Sequence, residues 1–228
     1  VYVLNNRSIL SLTTTRVKVD FKRIFFSFGL IVFISIAGFL VSYYGDNSNI
    51  TWNFKPVNFF ILLIISLLLF PFQIGLEEYL FRGYLMQQIG IAARNRWFPL
   101  LFTSIVFGLF HSANPEVAEM GFGVMVFYIG TGLLLGIMTL MDEGMELALG
   151  FHLANNLFTA LLVTADWTAF QTHSVFKDIS EPTKVEFSEV FMPLFVVFPI
   201  VLLIFAKKYH WSNWRSKLFG SVDAITNS

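Results

Sequence analysis

GLEEYLFRG, residues 75–83, follows closely on the apolar run of residues 59–72 and puts two adjacent glutamates and an arginine at the end of a membrane-length segment. Ionisable side chains at membrane depth are costly, normally face a protein interior and mark functional sites. More polar residues stand in apolar surroundings at His111, and at His152 with two asparagines close behind it. We therefore predict that these three segments come together as one site.

The composition is that of a membrane protein. Of the 228 residues, 56% are hydrophobic and 13% are charged, whereas a soluble domain usually carries about 25% charged residues. The chain has no cysteine, which excludes disulfides and thiolate metal sites. Its zero net charge gives no indication of nucleic-acid binding. We predict an all-α fold, a polytopic bundle of transmembrane helices.

About six apolar segments reach or approach the roughly 18–20 residues that a membrane span needs. A straight helix over residues 56–93 would be about 57 Å long, well beyond the roughly 30 Å hydrocarbon core. We therefore expect a kink near Pro71 or Gly75. The predicted spans cover residues 24–44, 56 into the Glu77 region, 97–112, 121–141, 145–164 and 190–206.

Basic residues cluster before the first span, at the turn of residues 94–96 and after the last span. The positive-inside rule therefore predicts that both ends of this chain are cytoplasmic. Gly132 and Gly136 have the small-xxx-small spacing that lets membrane helices approach closely. The predicted organisation is a basic cytoplasmic segment at 1–24, a transmembrane domain at 25–206 with its core at 55–165, and a basic cytoplasmic tail at 207–228.

Spacing along the chain pairs the ionisable groups. Glu77 lies eighteen residues before Asn95 and His111 lies sixteen after it, so antiparallel packing of the two arms brings them to a similar depth. Glu78 and Arg82 are i and i+4, the favoured orientation for an ion pair on a helix. We assign Glu78 to Arg82, which leaves Glu77 free to point into a cavity.

His152 and Asn156 are also i and i+4, so they share one face of the fifth span. A carboxylate beside an imidazole in a partly dry site can hold and deprotonate a water. A second histidine and a carboxamide can donate hydrogen bonds to a developing oxyanion. The candidate catalytic residues are Glu77, His111, His152 and Asn156, with Glu78 and Arg82 as supporting residues.

The same residues also have structural interpretations, without a catalytic role. A histidine in a membrane helix can simply bond a backbone carbonyl, and Glu78 with Arg82 can be a purely structural pair. Asn155 is predicted to be structural, and Phe107 to be a packing or lipid-facing residue. His173 and His210 are predicted to be solvated loop residues.

Two further functions use the same groups. Glu77, His111 and His152 are the ligand types of a zinc site with one open position, although the chain has no His-Glu-x-x-His pattern. A transporter would use them as a proton relay, although the sequence shows no paired repeats with matching broken helices.

The three motifs resemble, in order, those of the CPBP family, the CAAX-protease and bacteriocin-processing (Abi) intramembrane endopeptidases. Glu77-Glu78-x-x-x-Arg82 is similar to the family's EExxxR motif, Phe107-x-x-x-His111 to its FxxxH motif, and His152-x-x-x-Asn156 to its third motif. The resemblance covers about residues 55–165. Each motif alone is weak evidence, whereas three in order on apolar runs are strong evidence.

The resemblance implies a glutamate-type intramembrane protease in the bacterial cytoplasmic membrane. It implies that Glu77 and His111 activate water, that His152 and Asn156 form the oxyanion hole, and that no metal or other cofactor is needed. The implied partners are a peptide or lipid-attached protein substrate, membrane lipid and other membrane proteins.

Family members often have about eight spans against about six found here by hydropathy, so we expect further helices before residue 1. The alternative function from another class is a non-catalytic membrane scaffold, or a subunit of a larger membrane complex, that retains the family site.

Overall fold

The computed structural model describes residues 8–182 and 191–222, and most of them are helical. The predicted all-α class is confirmed. The helices are α1 Ile9–Thr13, α2 Phe21–Gly45, α3 Pro56–Glu78, α4 Met86–Ala93, α5 Trp97–Leu109, α6 Pro115–Met120, α7 Met125–Asp142, α8 Glu146–Leu161, α9 Phe198–Lys208 and α10 Trp214–Phe219. A 3-10 turn, Phe122–Val124, leads into α7, and a π-helical turn, Pro193–Val197, leads into α9.

Within the described ranges, three helical segments are long and apolar enough to cross a membrane: Phe21–Gly45, Pro56–Ala93 and Phe122–Asp142. The other predicted spans coincide with shorter helices, α5, α8 and α9. The predicted start of the sixth span, at residue 190, lies outside the described residues. The short α8 is largely buried among the other helices, so its surroundings are chiefly protein.

The long segment Pro56–Ala93 changes helical geometry after Glu78. The α-helical pattern of α3 runs through Pro71 and Gly75 to Glu78, and the kink expected near those two residues stays a prediction. A π-helical turn, Tyr79–Leu85, then joins α3 to α4. Such turns are often found at functional sites, and this one directly follows the two glutamates of the candidate site.

Helices α5 and α7 are in close contact at the two predicted glycines. A Cβ atom on Gly132 would lie 2.9 Å from the carbonyl oxygen of Ser104, and one on Gly136 would lie 2.5 Å from Leu100 Cδ1. The small-xxx-small spacing therefore corresponds to a real helix contact. It also leaves the Gly132 carbonyl accessible to a side chain from the candidate site.

A small sheet occupies loops in which no strand was predicted. Strand β1 (Ile50–Trp52) pairs antiparallel with β3 (Phe176–Asp178), and β3 pairs in parallel with β2 (Val163–Ala165). Three-residue strands are too short for alternation along the sequence to reveal them. The sheet joins the loop after α2 to the loop after α8, and it holds both ends of the segment that contains residues 166–170.

The described parts of both basic end segments pack against the helices. Arg16 donates to the side chains of Asp142 and Glu146, at 3.0 and 3.2 Å. In the tail, the backbone N–H of Val222 donates to the Arg94 carbonyl at 3.1 Å. These segments are therefore parts of the folded unit.

Candidate active site

A cavity of about 670 Å³ lies between α3, α5, α7 and α8. All four predicted catalytic side chains line it, although they come from three separate segments of the chain: Glu77, His111, His152 and Asn156. The spacing argument around Asn95 therefore agrees with the structure in bringing Glu77 and His111 to one cavity. Asn155, which we predicted to be structural, lines the same cavity.

Glu78 and Arg82 lie behind the cavity wall as a fully buried ion pair. Arg82 Nη1 donates to Glu78 Oε1 at 2.9 Å, as the i, i+4 spacing predicted. Arg82 Nη2 donates to the Gly132 carbonyl at 3.0 Å, and its guanidinium lies 4.5 Å from the centre of the Phe107 ring. Phe107 is thus buried in the core beside a cation, so of the two predicted roles, packing and facing lipid, it has the packing role.

The same carboxylate oxygen that pairs with Arg82 also holds His152. His152 Nδ1 donates to Glu78 Oε1 at 2.8 Å. A carboxylate is only an acceptor, so Nδ1 carries the hydrogen. The other ring nitrogen, Nε2, lies 3.7 Å from Glu77 Oε2. Glu78 and Arg82 therefore set the orientation of the His152 ring from behind.

Glu77 faces the cavity with one oxygen bonded and the other unbonded. Its Oε1 accepts a hydrogen bond from Gln73 Nε2 at 3.2 Å. Its Oε2 is buried and has no hydrogen-bond partner among the described residues. A buried carboxylate oxygen without a partner is unusual and calls for a functional explanation.

His111 lies in the turn that follows α5 and is oriented by a residue of that helix. Its Nδ1 lies 2.9 Å from the Phe107 carbonyl oxygen, which can only accept, so Nδ1 carries the hydrogen. In its neutral form the ring then has a lone pair on Nε2, which can accept a proton. The backbone contact that a purely structural histidine would make is present, and the ring lines the cavity as well.

Sequence reasoning missed three residues that form a hydrogen-bonded group on the Tyr128 side of His111. The Tyr128 ring stacks on the His111 ring, with centroids 4.5 Å apart and planes inclined by 20°. Tyr128 is hydrogen-bonded to Glu116 and Asn114. Tyr128 lies in an apolar span outside every motif, and the other two lie where the sequence indicates a polar loop, so no local signal distinguishes them.

The remaining histidines are exposed, as predicted: His173, near Asn58, and His210. Among residues 8–182 and 191–222, no three His, Asp or Glu side chains are grouped so that they could hold a metal ion. The zinc interpretation needs Glu77, His111 and His152 as joint ligands, and the described geometry gives it no support.

Residues 56–158 match the family described as type II CAAX prenyl endopeptidase Rce1-like. The uncharacterized protein YyaK of Bacillus subtilis (strain 168) is 31% identical over 159 residues, which are 69% of this chain and 53% of that protein. The chain thus spans about half the length of this relative. No solved structure matches the chain.

These comparisons confirm the predicted family resemblance. Residues 56–158 match the model of the Rce1-like CAAX endopeptidases, and every candidate site residue lies within that segment. The family is one of membrane-embedded hydrolases, in agreement with the long apolar helices of the chain.

Proposed function

We propose that the protein is an intramembrane endopeptidase that hydrolyses a peptide bond with a water activated by Glu77 and His111. The observation that carries this proposal is the convergence of Glu77, His111, His152 and Asn156 on one cavity. A structural cluster would bond its own polar atoms, whereas here a buried oxygen of Glu77 has no partner among the described residues.

In the proposed step, a water bound between Glu77 Oε2 and His111 Nε2 loses a proton to one of them and attacks the carbonyl carbon of the substrate. The carbon–oxygen bond forms as the carbonyl π bond becomes an oxyanion. The C–N bond then breaks, and the proton passes to the departing amine. General-base assistance of this kind contributes about 10²–10⁴-fold in rate.

Asn156 and His152 are the proposed donors to the oxyanion. The Asn156 side chain lines the cavity, and a carboxamide can donate an N–H. His152 already donates through Nδ1 to Glu78, so it can donate through Nε2 only as the doubly protonated ring. Pre-oriented donors of this kind act where charge develops in the transition state.

The walls of the cavity favour an apolar peptide or a lipid-attached protein as substrate. Aromatic side chains contribute much of the lining, among them Phe110, Phe127, Phe151 and Phe170. The CAAX family acts on prenylated proteins or peptides, so a prenylated C-terminus is the first substrate to test. We place the enzyme in the bacterial cytoplasmic membrane with both ends of this chain in the cytoplasm, because its basic residues cluster at those ends.

The test uses purified protein in proteoliposomes and an internally quenched peptide that ends in an S-farnesyl cysteine and three further residues. Glu77→Gln keeps the size of the side chain but removes its basicity, so we expect cleavage to fall by at least about 100-fold with unchanged thermal unfolding. Glu119→Gln, on an exposed part of α6, is the matched control and should cleave normally. Full activity of Glu77→Gln would refute the role of Glu77.

The scaffold alternative gives a different result in the same assay. A folded wild-type protein that cleaves neither this peptide nor its unprenylated counterpart, and no member of a mixed-sequence peptide pool, would favour a non-catalytic role. No observation in the described structure favours that role over the enzyme.

A further inference from the structure

The His111 ring is held by contacts on two sides. On one side, its Nδ1 bonds the Phe107 carbonyl and its ring lies 4.8 Å from the Phe107 ring. On the other side, it stacks on Tyr128. One hydrogen bond to a residue of α5 does not fix the tilt of the imidazole, so the ring contacts, and above all the stacked Tyr128 ring, set the direction of Nε2.

Tyr128 is itself held by its hydroxyl group. The Tyr128 hydroxyl donates to Glu116 Oε1, and Asn114 Nδ2 donates to the hydroxyl oxygen at 3.0 Å. Asn114 Nδ2 also donates to Glu116 Oε1 at 3.2 Å. These three side chains form a closed hydrogen-bonded triangle beside the candidate base.

The second oxygen of Glu116 reaches the loop of residues 166–170. Glu116 Oε2 accepts a hydrogen bond from the backbone N–H of Ala169 at 2.9 Å. The neighbouring Phe170 ring lies 5.5 Å from the Phe70 ring of α3. Residues 167–170 also line the cavity, so one carboxylate links this wall of the cavity to the tyrosine that stacks on His111.

We propose that Tyr128 is a positioning residue for His111, and that Glu116 fixes both Tyr128 and the 166–170 loop by accepting a hydrogen bond from each. This inference rests on the proposed function, because it assigns the stacked ring the task of aiming His111 Nε2 at the water. Geometry matters here, since a misplacement of about 1 Å can cost about 10²-fold in rate. Movement of the loop then changes the orientation of the base through Glu116.

The kinetic test compares two substitutions of Tyr128 on the farnesylated peptide. Tyr128→Leu removes the stacking face, and we expect kcat to fall by about 100-fold with KM changed less than threefold. Tyr128→Phe keeps the face and loses the hydroxyl bonds, so its kcat should lie between those of Tyr128→Leu and wild type. Tyr84→Phe, in the separate apolar groove beside α1, is the matched control and should behave as wild type.

An unchanged kcat in Tyr128→Leu would overturn the positioning role. A change in KM alone, with kcat unchanged, would also overturn it. So would an equal fall in kcat in Tyr128→Phe and Tyr128→Leu, because Tyr128→Phe keeps the stacking face that Tyr128→Leu removes.

A second readout does not require activity, so it separates failure of this inference from failure of the proposed function. The chain has four histidines, and selective histidine labelling makes their ring signals resolvable by NMR. Loss of the Tyr128 ring should shift the His111 signals strongly and leave those of exposed His173 and His210 unchanged. His111 signals that stay at their wild-type positions in Tyr128→Leu would overturn the stacking contact, whether or not the protein is a protease.

The proposed role of Glu116 in fixing the 166–170 loop is tested by cysteine labelling, because the chain has no native cysteine. Thr159→Cys places a single thiol in the cavity wall, and its rate of maleimide labelling measures access. Adding Glu116→Ala should raise that rate several-fold, whereas adding Glu119→Ala on the same helix should not. Equal labelling rates in the two double variants would overturn the role of Glu116 in fixing the loop.

Discussion

Two clusters of buried charge differ in how completely their polar atoms are bonded. At the end of the bundle, Asp142 accepts hydrogen bonds from Arg16, Arg23 and the Trp211 indole N–H. Glu146 accepts from Arg16 and from the backbone N–H of Asp20, each at 3.2 Å. Every carboxylate oxygen in this end cluster has a partner.

The central cluster of Glu77, Glu78, Arg82 and His152 is incompletely bonded. Glu77 Oε2, Glu78 Oε2 and Arg82 Nε are buried without a hydrogen-bond partner among the described residues. Glu77 borders the cavity, while the other two lie directly behind it. Leaving buried polar groups unpaired costs about 1–3 kcal/mol each, so this arrangement is not the most stable one available.

The difference separates a structural cluster from a candidate functional one. The end cluster joins the N-terminal segment to the turn between α7 and α8, and full bonding suits that purpose. The central cluster has unpaired polar atoms beside a cavity, as expected of a site that must bind water and substrate. Mutations in the two clusters should therefore have different consequences.

The largest effect is expected for Glu78→Gln. This change removes the charge that pairs with Arg82 and holds His152. Breaking a buried pair costs about 3–5 kcal/mol, and cleavage per folded molecule should also fall by about 100-fold. Denaturant unfolding and the peptide assay measure the two losses, and a loss of only one of them would contradict the dual role.

Asp142→Asn should lower stability and leave cleavage per folded molecule unchanged. Arg16 and Arg23 each keep a second carboxylate partner, Glu146 and Asp20 respectively. Their side chains are 26% and 18% exposed and can regain water, so the expected cost is about 2 kcal/mol. Unfolding midpoints and specific activity in the same preparation are the measurements. A large drop in specific activity would show that the end cluster has more than a structural role.

Gly132→Ala tests the helix contact that presents a carbonyl to Arg82. The added methyl group would press against the Ser104 backbone, and overpacking costs about 1–3 kcal/mol. Gly29→Ala is the matched control, because a Cβ there meets nothing within 4 Å. Equal unfolding midpoints for the two variants would contradict the close α5–α7 contact.

The smallest effect is expected for Glu143→Gln, beside the end cluster. Lys217 lies 3.3 Å from Glu143, whose side chain is 55% exposed. An exposed ion pair of this kind contributes at most about 1 kcal/mol and is screened by salt. Unfolding at low and high salt should therefore differ little from wild type, in contrast with Asp142→Asn.

Much of the site followed from local spacing. Glu78 and Arg82 could be paired because residues i and i+4 are neighbours on any helix. The convergence of Glu77 and His111 followed from their similar distances to one turn. The roles of these groups in catalysis stay predictions, since geometry alone does not show chemistry.

Other parts of the site could not be read in this way. Glu78 accepts hydrogen bonds from both Arg82 and His152. His152 lies 74 residues further along the chain, so no helical spacing relates it to Glu78. Asn155 lines the cavity although it points away from Asn156 around the helix, because the cavity is wide enough to reach both faces.

The amino-acid sequence by itself determined two things about this protein. It is a helical membrane protein, and it carries three motifs in a fixed order. Both could be recognised because apolar length and helical spacing are local properties. Only the tertiary structure decided that Tyr128 stacks on His111 and that Glu116 bonds both Tyr128 and Ala169. It also decided that three short strands hold the 166–170 loop at the cavity. Each of these features joins segments distant in sequence, so packing of the whole chain selects it.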